Sequence, residues 1–440
     1  MSPRYVAGSL LFTVTAETPV SEQQYNITVG VGTDISEARF TWMSKNEYKP
    51  QVQLAKASAV KNSIFPAKST YEGTSSEMYA TEGILDNKDS IEKKTAEYSN
   101  MVTVAKLAQS TVYAYRVGDG KNWSAVHTFK TAAADKISFA AFGDPQIGAS
   151  KDLVHDRAGW SATLADVVAE HPDITMLFSA GDQVNDYDSL AKQQDEYVAF
   201  FNPDPSKDYL QSFQLAVDEG NHDLQMGKYY SFHYNEPNVS ELGQTANAGK
   251  ANNDGDYYFC YGPALFIMLE GNNFLDTAAH DEFMEKATKA CRSAKWIIVS
   301  FHQAPYSEAN HANGTDPDDN IVFMCQNWTK LMDKYHVDVV INGHDHYYIR
   351  TFQMLNGMPV DTTVASSANK PKKTLYVTLD SGSGSKYYKY NTASDHSYSA
   401  AGWQNNQPTY SYVTVTAKQF AITTYNVETG ETVDSYTINK

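Results

Sequence analysis

Metal-binding residue types recur directly after apolar stretches of this 440-residue chain. The five endings are Gly143-Asp144, Gly181-Asp182, Gly220-Asn221-His222-Asp223, Phe301-His302 and Gly343-His344-Asp345-His346. A single Asp after a strand is usually a turn or helix-capping residue, but five such endings are difficult to explain by capping. Carboxylate oxygen and imidazole nitrogen suit divalent zinc, manganese and iron. The pattern therefore predicts a metal centre.

The ligand set is large enough for two metal ions. A two-metal site needs about seven ligands, one of them a bridging carboxylate, and holds its ions about 3.5–4 Å apart. Such a site activates water for attack on a phosphoryl group. The sequence has no Gly-x-Ser-x-Gly nucleophile motif, so we expect direct hydrolysis without a covalent enzyme intermediate.

The chain divides into two regions, and the second contains the elements that must position these residues. From residue 136, apolar strands at 137–142, 174–180, 213–217, 296–301 and 337–342 accompany a helical pattern at 157–170. Strands alternating with helices predict a layered α/β domain, which binds ligands at the carboxyl ends of its strands. Strand-like alternation returns from about Pro408.

The N-terminal region has short alternating strands with turn residues between them, which predict a β-sandwich. The polar stretch 86–100 is predicted to be a loop or a hairpin, and residues 132–135 a linker. The predicted domains are therefore an all-β sandwich at 1–134 and an α/β domain at 135–440.

Composition excludes some functions and leaves others open. The net charge of -17 argues against nucleic-acid binding. No run of 18 apolar residues occurs, so we expect no membrane span. The three cysteines, Cys260, Cys291 and Cys325, form no CxxC pair. Two of them could form one disulfide, but the sequence does not show which two. The sequence also does not indicate an oligomeric state.

The order of the five motifs resembles the calcineurin-like metallophosphoesterases over roughly residues 136–436. The segment Thr111–Asp119, with Trp123-Ser124 and Phe129-Lys130-Thr131, is similar to the fibronectin type III-like domain that precedes the catalytic domain in purple acid phosphatases. This resemblance implies a four-layer domain of two sheets flanked by helices. It also implies two divalent metal ions, a small phosphorylated substrate, and a secreted or cell-surface location.

The resemblance assigns a role to each matching position. Asp144 and His346 are expected at the first metal, with Asp182 bridging both metals. Asn221, His302 and His344 are expected at the second metal. His222 is expected to contact the phosphate and protonate the leaving oxygen. The neighbouring Asp223 is expected to orient the His222 ring or to cap the next helix.

Two positions depart from the family. Gln146 stands where many members have a histidine ligand, and Asn185 stands where purple acid phosphatases have a tyrosine. Loss of the tyrosinate argues for two divalent ions (Mn, Zn or Fe) and an uncoloured protein. The amide oxygens of Gln146 and Asn185 are the candidate substitutes. His311 is a candidate substrate contact, with an exposed loop as the alternative.

The leading function is hydrolysis of phosphomonoesters by a metal-bridging hydroxide. Phosphodiester hydrolysis at the same site is the nearest alternative, because the altered first metal site breaks the resemblance to acid phosphatases locally. A non-catalytic surface binding protein is a third reading, against which the nearly complete ligand set argues.

Overall fold

The N-terminal region consists of strands, as its alternating sequence predicts. The computed structural model describes residues 24–82, 91–186, 189–244, 246–247, 250–251, 255–310, 320–362, 366–369 and 373–440. The strands of this region are β1 Tyr25–Val31, β2 Ala38–Ser44, β3 Gln51–Lys56, β4 Thr70–Glu72, β5 Thr74–Glu82, β6 Ile91–Val104, β7 Val112–Gly118 and β8 His127–Lys130. In β3 and β8 alternate residues are buried, so one face of each strand packs inward.

These strands form the predicted sandwich. One layer has the order β4-β3-β7-β8, and the other contains β1, β2, β6 and β5. Phe40, Trp42, Val52, Tyr115 and Val117 are buried between the layers.

Residues 91–100 of the polar stretch 86–100 form a hairpin arm rather than a loop. Residues 83–90 lie outside the described part, but β6 pairs antiparallel with both β2 and β5. Of the two predictions, the hairpin is confirmed for residues 91–100 and the loop is wrong. Exposed side chains such as Lys93 and Lys94 face solvent on this strand, which is why its sequence lacks a strand-like apolar pattern.

The second region alternates strands and helices. Its first half contains β9 Lys136–Phe142, α1 Leu153–Glu170, β10 Met176–Ser179, α2 Leu190–Phe201, α3 Tyr209–Ser212, β11 Gln214–Val217, β12 Ala246–Asn247, β13 Lys250–Ala251, β14 Tyr257–Tyr261, β15 Ala264–Met268 and α4 Thr277–Ala290. Its second half contains β16 Trp296–Ser300, α5 Asn320–Lys334, β17 Val339–Asn342, β18 Tyr348–Thr351, β19 Gln353–Leu355, β20 Met358–Asp361, β21 Ser367–Asn369, β22 Leu375–Thr378, β23 Ser399–Trp403, β24 Thr409–Thr416, β25 Gln419–Asn426 and β26 Thr432–Asn439.

Two sheets enclose the main core. A seven-stranded sheet has the order β14-β15-β16-β17-β22-β18-β23, and β9, β10 and β11 lie side by side in an eleven-stranded sheet. Phe139, Phe178, Phe266, Ile298 and Val339 are buried between them. Because β9, β10 and β11 are parallel, as are β15, β16, β17 and β22, their carboxyl ends meet at one edge of the domain.

Helices cover the outer faces of both sheets, which confirms the predicted four-layer fold. Trp160 of α1 stacks on Phe200 of α2, and Trp328 of α5 packs on Phe301. The α1 helix begins four residues before the predicted Arg157, because the Asp152 carboxylate accepts hydrogen bonds from the backbone N–H groups of Val154 and His155 and so caps an earlier turn.

The sheet does not stop at the predicted domain boundary. Strand β1 pairs in parallel with β11, with Val29 opposite Gln214 and Gly30 opposite Leu215. The eleven-stranded sheet therefore runs from the sandwich into the α/β region. The division at residue 134 stays a prediction.

Two further predictions concern cysteines and membranes. A disulfide joins Cys260 of β14 to Cys291 at the end of α4, and Cys325 is a free thiol. Among the described helices, none is long and apolar enough to cross a membrane.

Candidate metal centre

Each predicted ligand lies just beyond the carboxyl end of a strand. Asp144 follows β9, Asp182 follows β10, and His344 and His346 follow β17. These four residues have positive φ angles of 35°, 49°, 75° and 44°. Non-glycine residues in this region cost about 1–3 kcal/mol each and cluster at functional sites. The backbone is therefore bent to aim these side chains at one point.

The glycines before the ligands allow close packing of the loops. A Cβ atom on Gly181 would collide with the ring of His302, and one on Gly220 would collide with the carboxylate of Asp182. Gly181 also has a φ of +98°, which side-chain-bearing residues rarely adopt. The Gly-Asp and Gly-Asn pairs seen in the sequence are therefore steric requirements of the site.

Asp182, His302 and His344 form the tightest ligand group. One ligand atom from each lies within 4.8 Å of the other two. His302 Nε2 is 3.2 Å from Asp182 Oδ2 and 3.3 Å from His344 Nδ1. Two imidazoles and a carboxylate at this spacing suit a divalent transition metal.

Asp144 connects this group to His346. Its Oδ1 atom lies 3.7 Å from His302 Nε2 and 3.6 Å from His346 Nε2. Its Oδ2 atom accepts a hydrogen bond from the His344 backbone N–H. Oδ1 is buried and has no hydrogen-bond donor among the described residues. A buried carboxylate oxygen in this state fits a metal ligand, since leaving it unsatisfied is costly.

Backbone carbonyls fix two of the imidazole rings. His302 Nδ1 lies 2.7 Å from the Ala180 carbonyl, and His346 Nδ1 lies 2.9 Å from the Lys386 carbonyl. Each Nδ1 must donate a proton in these contacts, so each Nε2 is left as the metal-binding lone pair. Such partners orient ligating histidines and raise their basicity.

The buried carboxylates and imidazoles of the site shift one another's pKa values. Burial raises the pKa of Asp144 well above its ordinary value. Burial would also raise the pKa of Asp182, but His302 and His222 hold it well below its usual range. Burial disfavours the charged form of His302, yet Asp182 and Asp144 raise its pKa to about 10. Bound divalent ions would take over this compensation.

The loop after β11 brings Asn221 and His222 to the same place. The His222 backbone N–H donates to Asp182 Oδ1 at 2.8 Å, and His222 Nδ1 lies 2.7 Å from the Asn185 carbonyl. His222 is half-buried. Its ring is therefore held beside the expected bridging ligand.

Asp223 organises the backbone around His222. It is fully buried, and its carboxylate accepts hydrogen bonds from the N–H groups of Gly220, Gln183 and Val184 at 2.9, 3.1 and 3.4 Å. Burial and the nearby Asp182 raise its pKa to about 8. These contacts tie the Asn221 loop to the Asp182 loop, and they make Asp223 a positioning residue.

The two departures from the family lie against each other. Gln146 Nε2 donates to Asn185 Oδ1 at 3.2 Å. Gln146 Oε1 is buried without a hydrogen-bond donor in the described part of the chain. Of the two amides, Gln146 thus presents the oxygen that suits a first-site cation. His311, the candidate substrate contact, lies outside the described residues.

The sequence reasoning missed the segment after β22. Asp380 follows this apolar strand and is buried, so it repeats the signal of the other five endings. The adjoining segment 381–386 has the sequence Ser-Gly-Ser-Gly-Ser-Lys. Ser381 donates to the Asp144 carbonyl, and Ser383 and Ser385 donate to the Pro145 carbonyl.

Family models match both regions of the chain. Residues 23–131 match the purple acid phosphatase N-terminal domain. Residues 137–348 match the calcineurin-like phosphoesterase domain, a range that contains the five strand endings.

Individual relatives agree with these matches. Purple acid phosphatase 15 of Arabidopsis thaliana is 25% identical over 339 residues, which cover 70% of this chain and 59% of that protein. Probable inactive purple acid phosphatase 27 of the same plant is 22% identical over 293 residues, covering 62% and 47%. The chain thus spans only about half to three fifths of these relatives.

A solved structure shares the fold. The purple acid phosphatase from yellow lupin (Lupinus luteus) seeds superposes with a TM-score of 0.69 at 16% identity, covering 95% of this chain and 74% of the other.

Proposed function

The chain belongs to the calcineurin-like metallophosphoesterases of the purple acid phosphatase-like, two-domain type, and we propose that it hydrolyses phosphate esters with two divalent metal ions. The observation that carries the proposal is the convergence of Asp182, His302 and His344 within 4.8 Å, with His222 held beside them.

The ligands divide between two positions. We assign Asp144, His346 and Gln146 to the first ion, and Asn221, His302 and His344 to the second. We assign Asp182, which is grouped with His302 and His344, as the ligand that would be shared by both ions. When bound, the ions lower the pKa of water towards about 7, which supplies a hydroxide nucleophile, and neutralise charge on the phosphoryl group. Manganese, zinc and iron all suit these donors.

His222 is the proposed general acid. The Asn185 carbonyl accepts the Nδ1 proton, which fixes the ring and leaves Nε2 to carry the proton that the leaving oxygen receives. Such proton transfer contributes about 10²–10⁴-fold to the rate.

A small phosphomonoester is the proposed substrate, with diesters as the alternative. The net charge of -17 repels polyanions such as nucleic acids. The N-terminal sandwich, which we take to be fibronectin type III-like, contributes β1 and β2 next to β11 and would support the site rather than bind substrate.

The proposed location is outside the cell or on its surface. The Cys260–Cys291 disulfide supports it, because disulfides persist in oxidising compartments and are rare in the cytosol. Fractionation of the native host, with peptide mapping of this bond, would test the proposal. Protein found only in the cytosol with free thiols would contradict it.

The function is tested by removing His222. The metal-stripped protein is re-supplied with manganese, zinc or iron and assayed on p-nitrophenyl phosphate, phenyl phosphate and bis-p-nitrophenyl phosphate. We expect His222→Ala to keep its metals and lose about 10²–10⁴-fold in turnover. The loss should be larger on phenyl phosphate, whose leaving group needs a proton more.

His336→Asn is the matched control. His336 is exposed and precedes β17, so it lies at the opposite end of the strand from His344. Full activity of His222→Ala on all three esters would refute the assigned acid. An inability of the wild type to bind any of the metals would favour a non-catalytic binding protein. One of the relatives is itself named a probable inactive purple acid phosphatase.

A further inference from the structure

The segment after β22 is attached to the first metal position. Besides the three serine hydroxyl contacts described above, the Gly382 N–H donates to the Gly143 carbonyl at 2.6 Å. The segment is therefore hydrogen-bonded to the loop that carries Asp144. Lys386 ends it, and its carbonyl is the partner of His346 Nδ1.

The Lys386 side chain and the His346 ring contact the same aromatic residue. Its Nζ atom lies 4.7 Å from the centre of the Tyr388 ring, and the His346 ring lies 5.5 Å from that ring. The ammonium group and the imidazole thus both lie close to the Tyr388 ring. Lys386 is half-buried.

Among the described residues, no carboxylate pairs with this charge. Lys386 forms no ion pair with the carboxylates that the structure describes, whereas Lys192 pairs with Asp186 and Lys334 with Asp281. Lys386 therefore carries a positive charge close to His346 that is available to a bound anion. A lysine ammonium is a compact point charge suited to phosphate oxygens.

We propose that Lys386 binds a non-bridging oxygen of the substrate and selects phosphomonoesters over diesters. The inference rests on the proposed function and deepens it. A monoester phosphate has a second pKa near 6 and is close to a dianion at pH 7, whereas a diester carries one charge. Lys386 would bind the additional negatively charged oxygen of the monoester.

The test compares Lys386→Met with the wild type on p-nitrophenyl phosphate and bis-p-nitrophenyl phosphate. A charge-assisted hydrogen bond contributes about 1.5–3 kcal/mol, so we expect kcat/KM for the monoester to fall about 10–100-fold. For the diester the fall should be under about threefold. Lys386→Arg should restore part of the monoester activity, because it keeps the charge.

A binding measurement separates this proposal from the proposed function. Calorimetric titration of the metal-loaded protein with inorganic phosphate should show a Kd raised about 10-fold or more in Lys386→Met, with unchanged metal content. If the wild type binds phosphate through Lys386 but hydrolyses neither ester, hydrolysis fails and the assigned contact stands. If the wild type hydrolyses both and the variant loses neither activity nor phosphate affinity, the contact is wrong.

Lys389→Met is the control, because Lys389 is exposed and lies three residues after Lys386. It should match the wild type in every assay. Equal losses on both esters, loss of metal from Lys386→Met, or the same effect from Lys389→Met would each overturn the assignment. Should Lys386→Met not fold by circular dichroism, Lys386→Gln, which is shorter and polar, is measured under the same criteria.

Discussion

The carboxylate of Asp182 contacts both the proposed acid and a proposed ligand of the second ion. One oxygen accepts the His222 backbone N–H at 2.8 Å, and the other lies 3.2 Å from His302 Nε2. It thus holds the proposed acid and a ligand of the second ion at once. Its removal should affect metal binding before it affects the fold.

We expect Asp182→Asn to bind less than the full metal complement and to lose at least about 100-fold in turnover, since even the hydrogen-bond partners of ligands contribute 10–100-fold. Metal content by mass spectrometry and hydrolysis of p-nitrophenyl phosphate measure both effects. Asp173→Asn is the control, because Asp173 precedes β10 at the opposite edge of the sheet and bonds Ser138 and Tyr412. Two ions per chain in Asp182→Asn would show that Asp182 is not the bridge.

Residue types identified candidate ligands, because metal chemistry restricts them to Asp, Asn and His. The structure brings Asp182, His302 and His344 together, and the assignment of individual ligands stays a prediction. The sequence could not show how Asp223 acts, since its partners are backbone N–H groups, which every residue has. Nor could it distinguish Gln146 from Asn185, because only their mutual hydrogen bond shows which amide oxygen is engaged.

Steric contacts restrict which residues the loops between the strands and the ligands can contain. Gly181 has a φ of +98°, and a Cβ atom there would collide with His302. Gly430 provides the comparison, since its φ is +70° but a Cβ atom would have no neighbour within 4 Å. Comparing substitutions at the two glycines therefore distinguishes the cost of backbone strain from the cost of a side-chain collision.

Gly430→Ala should cost about 1–2 kcal/mol, the penalty of the left-handed conformation alone. Gly181→Ala should cost about 1–3 kcal/mol more, because the collision forces repacking, and it should also lose metal as His302 is displaced. Melting temperatures and metal content, measured on both variants, test this difference. Equal melting temperatures with full metal content would mean that the loop has room that the structure does not show.

Element boundaries followed the sequence where apolar runs define strands, and departed from it where polar contacts decide. The α1 helix begins early because of the Asp152 cap, and β6 is a strand because its partners β2 and β5 supply the hydrogen bonds. Such partners are distant in sequence and leave no local pattern.

At the scale of the whole molecule, strand pairing and hydrogen bonds connect the N-terminal sandwich to the α/β region across the predicted boundary. Strand β1 of the sandwich pairs in parallel with the edge of β11. The Tyr115 hydroxyl in the sandwich donates a hydrogen bond to the Gln211 carbonyl at 2.8 Å. Glu97 accepts hydrogen bonds from Tyr25 and Lys45 within the sandwich and from Gln194 beyond it. An α/β region without the sandwich would expose the β11 edge, which favours aggregation.

The sandwich and the metal centre should therefore unfold together. Trp42 is fully buried in the sandwich core, and Trp42→Ala should cost about 3–5 kcal/mol. We expect calorimetry to show one transition in the wild type, and the variant to lose hydrolytic activity and sandwich structure at the same lowered temperature. Val112→Ala, at a position 46% exposed, should leave both unchanged. Two separate transitions, with activity surviving the first in Trp42→Ala, would mean that the continuous sheet does not couple the regions. The boundary at residue 134 would then divide two independent folding units.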